Sequence, residues 1–151
     1  MHDFFLDDAD ATDALGARLA RALPPRAVVY LHGDLGAGKS TLARALLRAL
    51  GVTGTIRSPT YTLVEQYPLA DGGMGLHLDL YRIGDPGELE FLGLDPVETR
   101  LWLVEWPERG RGGLPAADLD ITLAVEGAGR HCALRARTSI GEAWLQALHP
   151  A

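Results

Sequence analysis

The stretch Gly33-Asp34-Leu35-Gly36-Ala37-Gly38-Lys39-Ser40, followed by Thr41, restricts this chain more than any other. Four residues separate Gly33 from Gly38, and a lysine and a hydroxyl residue follow, which is the pattern of a phosphate-binding loop. Glycines let the backbone turn tightly and aim successive N–H groups at phosphate oxygens. Lys39 reaches the β- and γ-phosphates as a point charge, and Ser40 offers a hydroxyl to Mg²⁺. A helix starting here adds its positive end to the same anion. Such a loop joins a buried strand to a helix, and both flanks comply. Ala27-Val28-Val29-Tyr30-Leu31 is an apolar, β-branched run. Leu42, Ala45, Leu46, Ala49 and Leu50 recur at helical spacing, and Gly51 closes the run. Lys39 is also the only lysine among the 14 cationic residues of the chain.

The 151 residues suffice for one domain that buries roughly two-thirds of its unfolded surface. A net charge of −6 argues against a generally basic nucleic-acid binder, while leaving room for a local basic patch. The single cysteine, Cys132, cannot form an internal disulfide. The acidic N-terminus, Met1 to Asp8, lacks the basic and apolar regions of a signal peptide. No apolar run approaches the ~20 residues that cross a bilayer. These features together predict a soluble cytoplasmic protein.

In chain order, Asp8, Asp10 or Thr12 caps a helix running to about Leu23, where Pro24-Pro25 stops it. After the loop and its helix, Arg57-Ser58-Pro59-Thr60 is a polar segment leading into a strand over 62–67. Leu76 to Tyr81 alternates as a second strand, and Asp79 is expected on the strand next to the one that feeds the loop. Asp85-Pro86 starts a short helix holding Leu89, Phe91 and Leu92. Leu101-Trp102-Leu103-Val104 is a buried strand ending at Glu105, and Arg109 to Gly113 reads as a mobile loop. Residues 120–126 and 131–137 form a hairpin around Gly127-Ala128-Gly129, and a helix over 140–148 ends the pattern. The mixture is α/β, with parallel strands near the loop and antiparallel pairs later.

A Mg²⁺-nucleotide site needs hard oxygen ligands near the loop. Asp79 and Glu105 stand at or near the ends of apolar runs, where α/β sheets bind ligands. Each is placed to hold Mg²⁺ directly, to hold it through water or to act on an attacking water, the plain alternative being a solvated strand-end carboxylate. Ser58-Pro59-Thr60 reads equally as a switch whose hydroxyl senses the γ-phosphate and as a rigid turn. Trp106 and Pro107 read as packing at a strand end. Arg130 reads as an exposed charge or as a stacking partner for a base. His32, His77, His131 and His149 lack metal-ligand spacing, so each is expected to be structural or exposed.

Four blocks occur in one order: the loop from Gly33 to Leu42, then Ser58-Pro59-Thr60-Tyr61-Thr62-Leu63-Val64, then His77-Leu78-Asp79-Leu80-Tyr81-Arg82, then Glu105-Trp106-Pro107-Glu108. With them the chain resembles, over nearly its whole length, the TsaE-type bacterial ATPases of tRNA threonylcarbamoyladenosine biosynthesis. The resemblance implies a single P-loop NTPase domain over residues 1–151, three-layer α/β/α with a mixed sheet. It implies ATP and Mg²⁺ as cofactors, weak hydrolysis by the chain alone, and two ASKHA-type partners (TsaB- and TsaD-type). With them the family places a threonylcarbamoyl group on the adenosine beside the anticodon of tRNAs reading codons that begin with A. Carried over by motif, Gly36, Ala37, Gly38, Lys39, Ser40 and Thr41 wrap the phosphates. Ser40 and Glu105 hold Mg²⁺, Asp79 is the Walker-B-like acid and Thr60 belongs to the switch. Trp106 lies beside the nucleotide, and Asp8 and Arg130 match nucleotide-contacting positions. Ser40 stands where threonine is usual, and Tyr61 where phenylalanine is frequent. Neither change removes a required group.

The resulting expectation is an Mg²⁺-ATPase whose nucleotide state controls the assembly or reset of a tRNA-modifying complex, with most tRNA contacts left to the partners. A small-molecule or nucleotide kinase would need an acceptor pocket and an arginine-rich lid, and neither is evident. A non-catalytic ATP-binding adaptor would not need Asp79 and Glu105.

Overall fold

The computed structural model describes residues 2–57, 63–85, 87–89, 94 and 98–148. Thr60 and the rest of the expected switch, Ser58–Thr62, lie outside the described residues, as do Phe91 and Leu92 of the expected short helix and His149.

Among the described residues, seven strands form one sheet in the order β1-β7-β6-β2-β5-β4-β3. The strands are β1 (His2–Leu6), β2 (Ala27–His32), β3 (Val64–Pro68), β4 (Met74–Asp79), β5 (Thr99–Glu105), β6 (Leu119–Glu126) and β7 (Gly129–Ala136). The helices are α1 (Ala9–Arg21), α2 (Lys39–Ala49) and α3 (Ser139–Leu148). β2 runs parallel to both β5 and β6, and β4 runs parallel to β5. The two edges are antiparallel: β3 on β4 at one side, β6, β7 and β1 at the other. This is the mixed α/β sheet that the sequence pattern predicts, with one correction to its order. β5 lies between β2 and β4, so Asp79 is one strand further from the loop strand than its pattern suggested, and Glu105 is the nearer carboxylate.

Strand alternation divides the core in two. Ala27, Val29 and Leu31 of β2, with Leu101 and Leu103 of β5, face α1, α2 and α3. The opposite face of the sheet carries Leu76, Leu78, Trp102 and Val104. There the cover is short-turned chain rather than long helices among the described residues: Leu80, Ile83 and Leu89 after β4, and Leu114 after β5. Part of the Arg109–Gly113 segment, expected to be mobile, belongs to a 3₁₀ helix over Pro107–Gly110. Gly110 is buried in it, and a Cβ there would stand 2.6 Å from Leu80 Cδ1.

β1 was not foreseen. Its inward positions, Phe4 and Leu6, alternate with Asp3 and the half-exposed Phe5, and the strand pairs with β7. It delivers the chain to Asp8, whose Oδ1 accepts the Ala11 N–H at 2.9 Å and caps α1. Helix α1 then buries Leu15, Gly16 and Leu19 against α2. The two helices approach closely at Gly16, where a Cβ would lie 2.7 Å from Ala45 Cβ.

Candidate nucleotide-binding site

The loop leaves β2 through Gly33, whose φ of 142° is open to glycine and whose missing side chain makes room for Leu123 O. Gly36 and Gly38 also have positive φ, 82° and 105°. Gly38 is the N-cap of α2 and has no side chain to offer the first turn. Among the described residues no side chain caps this helix start, the place where N–H groups bind anions.

Lys39 is 5% exposed. Its Nζ donates to Gly33 O at 2.7 Å and lies 3.8 Å from the centre of the Trp106 ring. Burial pulls the Lys39 pKa below the ordinary lysine value, opposed by the charges of Glu105, Asp79, Glu108 and Asp34. Trp106 follows Glu105 with a left-handed backbone, φ 56°, an uncommon conformation for a side chain of this size. The turn aims its ring at Lys39 rather than along the strand. Tyr81 lies 5.0 Å from the Trp106 ring, and the Arg109 guanidinium lies over Tyr81.

Asp79 and Glu105 are register partners at the C-terminal ends of β4 and β5, and both are buried. Asp79 Oδ1 accepts the Tyr81 N–H at 3.0 Å. Glu105 Oε2 accepts Ser40 Oγ–H at 2.9 Å and His77 Nε2–H at 2.6 Å. Burial pushes the Glu105 carboxyl up. The His77 and Ser40 hydrogen bonds and the nearby Lys39 charge outweigh it and hold the group below its usual value. His77, expected to be structural or exposed, is thus inside the site. Its signal was the alternation His77-Leu78-Asp79, which puts His77 and Asp79 on one face of β4.

Beside the loop, a cavity of about 220 Å³ is lined by Asp8, Thr12, Gly38, Thr41, Gly129 and Arg130, among others. It brings together Asp8 and Arg130, which are far apart in sequence. Arg130 Nε donates to Ala37 O at 3.1 Å, and one terminal nitrogen donates to Gly36 O at 3.3 Å. Arg130 therefore grips the outer side of the loop. A second cavity, about 470 Å³, lies off the far face of the sheet between Tyr30, His32, Asp120 and Arg137, and no loop residue lines it.

A glycine loop between a central parallel strand and a helix, with carboxylates ending neighbouring strands, defines a protein of P-loop NTPase-like fold. Residues 6–132 match the family model described as threonylcarbamoyl adenosine biosynthesis protein TsaE. A Haemophilus influenzae protein named tRNA threonylcarbamoyladenosine biosynthesis protein TsaE is 49% identical over 117 residues, 76% of this chain and 73% of its own length. Proteins of the same name from Synechocystis and Bacillus subtilis are 47% and 37% identical, over 71% and 78% of this chain and 71% and 74% of their own lengths. The crystal structure of Bacillus subtilis YdiB superposes with a TM-score of 0.76 at 27% identity, over 97% of this chain and 93% of that one. The chain belongs to the TsaE family. Among the described residues, no helix is long and apolar enough to cross a membrane.

Proposed function

We propose that this chain is the Mg²⁺-dependent ATP-binding and hydrolysing subunit of tRNA threonylcarbamoylation. The observation that carries the reading is the convergence of Lys39, Ser40, Asp79 and Glu105 at the strand ends beneath the start of α2. The names of the relatives supply the pathway.

The residues fit Mg²⁺. Ser40 and Glu105 offer a hydroxyl and a carboxylate 2.9 Å apart, both hard oxygen donors. Among the described residues, no cluster of three or more His, Cys, Asp or Glu is built to hold a metal by itself. An ion with few protein ligands, completed by water and phosphate oxygens, is the coordination Mg²⁺ prefers. Ser40 and Glu105 would hold it, with Asp79 beside them as the Walker-B-like acid. When bound, the ion would neutralise charge on the phosphates.

The loop amides and Lys39 hold the phosphates, and burial of Lys39 and the carboxylates strengthens their electrostatics by excluding water. Asp8, Arg130 and Trp106 flank the rest of the nucleotide. Thr60, with Ser58–Thr62, senses the γ-phosphate and so reports nucleotide state to TsaB- and TsaD-type partners, which carry most tRNA contacts. A differential affinity of about 1.4 kcal/mol between states changes partner binding tenfold. Hydrolysis resets the complex between turnovers in the cytoplasm.

Nucleoside analysis of tRNA from a depletion strain tests the role. Threonylcarbamoyladenosine should fall, and a normal level would reject the pathway. ADP formation, measured with and without the partners, separates an ATPase from a binding adaptor.

A further inference from the structure

Two hydrogen bonds reach Glu105 Oε2, from Ser40 Oγ on α2 and from His77 Nε2 on β4. Among the described side chains, both of these bonds fall on the same carboxylate oxygen. His77 is 0% exposed, and among the described residues its Nδ1 has no hydrogen-bond partner. With Nε2–H donating, Nδ1 carries a lone pair, the less costly kind of atom to leave alone. Even so, an orphaned buried nitrogen lowers stability. An apolar side chain of similar volume would fill this place without that loss. Packing therefore does not account for an imidazole here, but the bond to Glu105 does.

We propose that His77 is a positioning residue that holds the Glu105 carboxylate against Ser40 and so preforms the Mg²⁺ site. A glutamate has several rotatable side-chain bonds. Fixing them before the ion arrives removes an entropic cost from binding. The arrangement is the outer-shell support that metal-binding carboxylates commonly have. It spans three elements. Ser40 comes from α2, Glu105 from β5 and His77 from β4, so the strand that carries Asp79 also orients Glu105. The inference rests on the reading of Glu105 as an Mg²⁺ ligand.

Mn²⁺ tests it, with free and bound ion counted by electron paramagnetic resonance in the presence of ADP. His77→Leu removes the donor and keeps the volume. Mn²⁺ affinity should fall about 10–100-fold, with the thermal midpoint at or above that of the parent. His77→Gln puts an amide N–H at the reach of Nε2 and should restore most of the affinity. His77→Asn puts it at the reach of Nδ1 and should not. Both amide variants keep a polar side chain, so their contrast tests the proposal even if the leucine variant folds poorly. Parental Mn²⁺ affinity in His77→Leu, or equal losses in His77→Gln and His77→Asn, would overturn it. Glu105→Gln is measured alongside. If that variant binds Mn²⁺ like the parent, the Glu105 reading itself fails. If it binds weakly while His77→Leu does not, only the positioning role fails.

Discussion

Lys39 and Glu105 are opposite charges kept out of water by the same packing, and each is expected to fail differently when replaced. Lys39→Ala removes the cation proposed to meet the phosphates. Charge-assisted hydrogen bonds contribute about 1.5–3 kcal/mol each, so nucleotide affinity should drop at least tenfold in a titration with a fluorescent ADP analogue. Unchanged binding would remove Lys39 from the site. Glu105→Gln keeps the shape and removes the charge. It should spare folding and raise the Mg²⁺ concentration needed for half-maximal hydrolysis, and an unaltered Mg²⁺ dependence would return Glu105 to a structural role. Cys132 is a probe of a different kind. It is 0% exposed, and burial, helped by the charge of Asp3, pushes its thiol up to about 12. The native protein should therefore resist a thiol-reactive dye, and labelling should track unfolding. The sign on stability follows from the raised pKa. Above the ordinary value of 9.0 the unfolded chain ionises at Cys132 while the folded chain does not, so this group's contribution declines as pH rises toward about 12. Denaturant midpoints of the parent and Cys132→Ala, compared across that range, check it.

At the scale of elements, helix contacts and one buried aspartate hold the frame. Gly16→Val would push α1 away from α2 at Ala45, and overpacking of this kind costs about 1–3 kcal/mol, read as a lower urea midpoint. Asp118, just before β6, ties β2 to the link between β7 and α3. Its carboxylate accepts the Val28 N–H at 2.9 Å and the Thr138 hydroxyl at 2.7 Å, and its carbonyl accepts the Arg137 N–H at 2.9 Å. Asp118→Ala would leave the Val28 amide without its partner, a loss of about 1–3 kcal/mol. Element type was legible wherever one periodicity ruled. α2 and β2 follow directly from apolar spacing, and the β6–β7 turn from Gly127, which takes φ 60°. β1 was not legible, because five residues with two aromatics side by side and acids around them show no dominant period. It is a strand because β7 offers it an edge. The expected strand over 62–67 is β3 from Val64, preceded by Leu63 in a left-handed conformation with φ 68°. That backbone conformation breaks the extended run just before the strand, and nothing in the residue type announced it.

For the molecule as a whole, ligand and fold are linked by mass action. Mg²⁺-ADP at a hundred times its dissociation constant should add about 2.7 kcal/mol of stability. Thermal melts should rise with added nucleotide in the parent and rise clearly less in Lys39→Ala. A rise of equal size in both would disconnect the loop from binding. Much of the candidate site was legible from residue chemistry alone. Glycine spacing, a lysine and a hydroxyl can be recognised locally, because backbone conformation and charge are properties of neighbouring residues. Asp79 and Glu105 were legible as carboxylates ending apolar runs. Their mutual placement was not. Only the sheet order decided that β5 separates β4 from β2, and only the parallel register set Asp79 opposite Glu105. His77 belonged to the site from the moment β4 was extended, yet its partner stands 28 residues away on another strand. The same holds for Arg130, which reaches the loop carbonyls across 93 and 94 residues of chain. By itself the sequence determined that a glycine loop of the phosphate-binding pattern sits between a strand and a helix, since those preferences are short-range. The tertiary structure decided which distant side chains complete it, because strand pairing and close packing bring together groups that no local pattern connects.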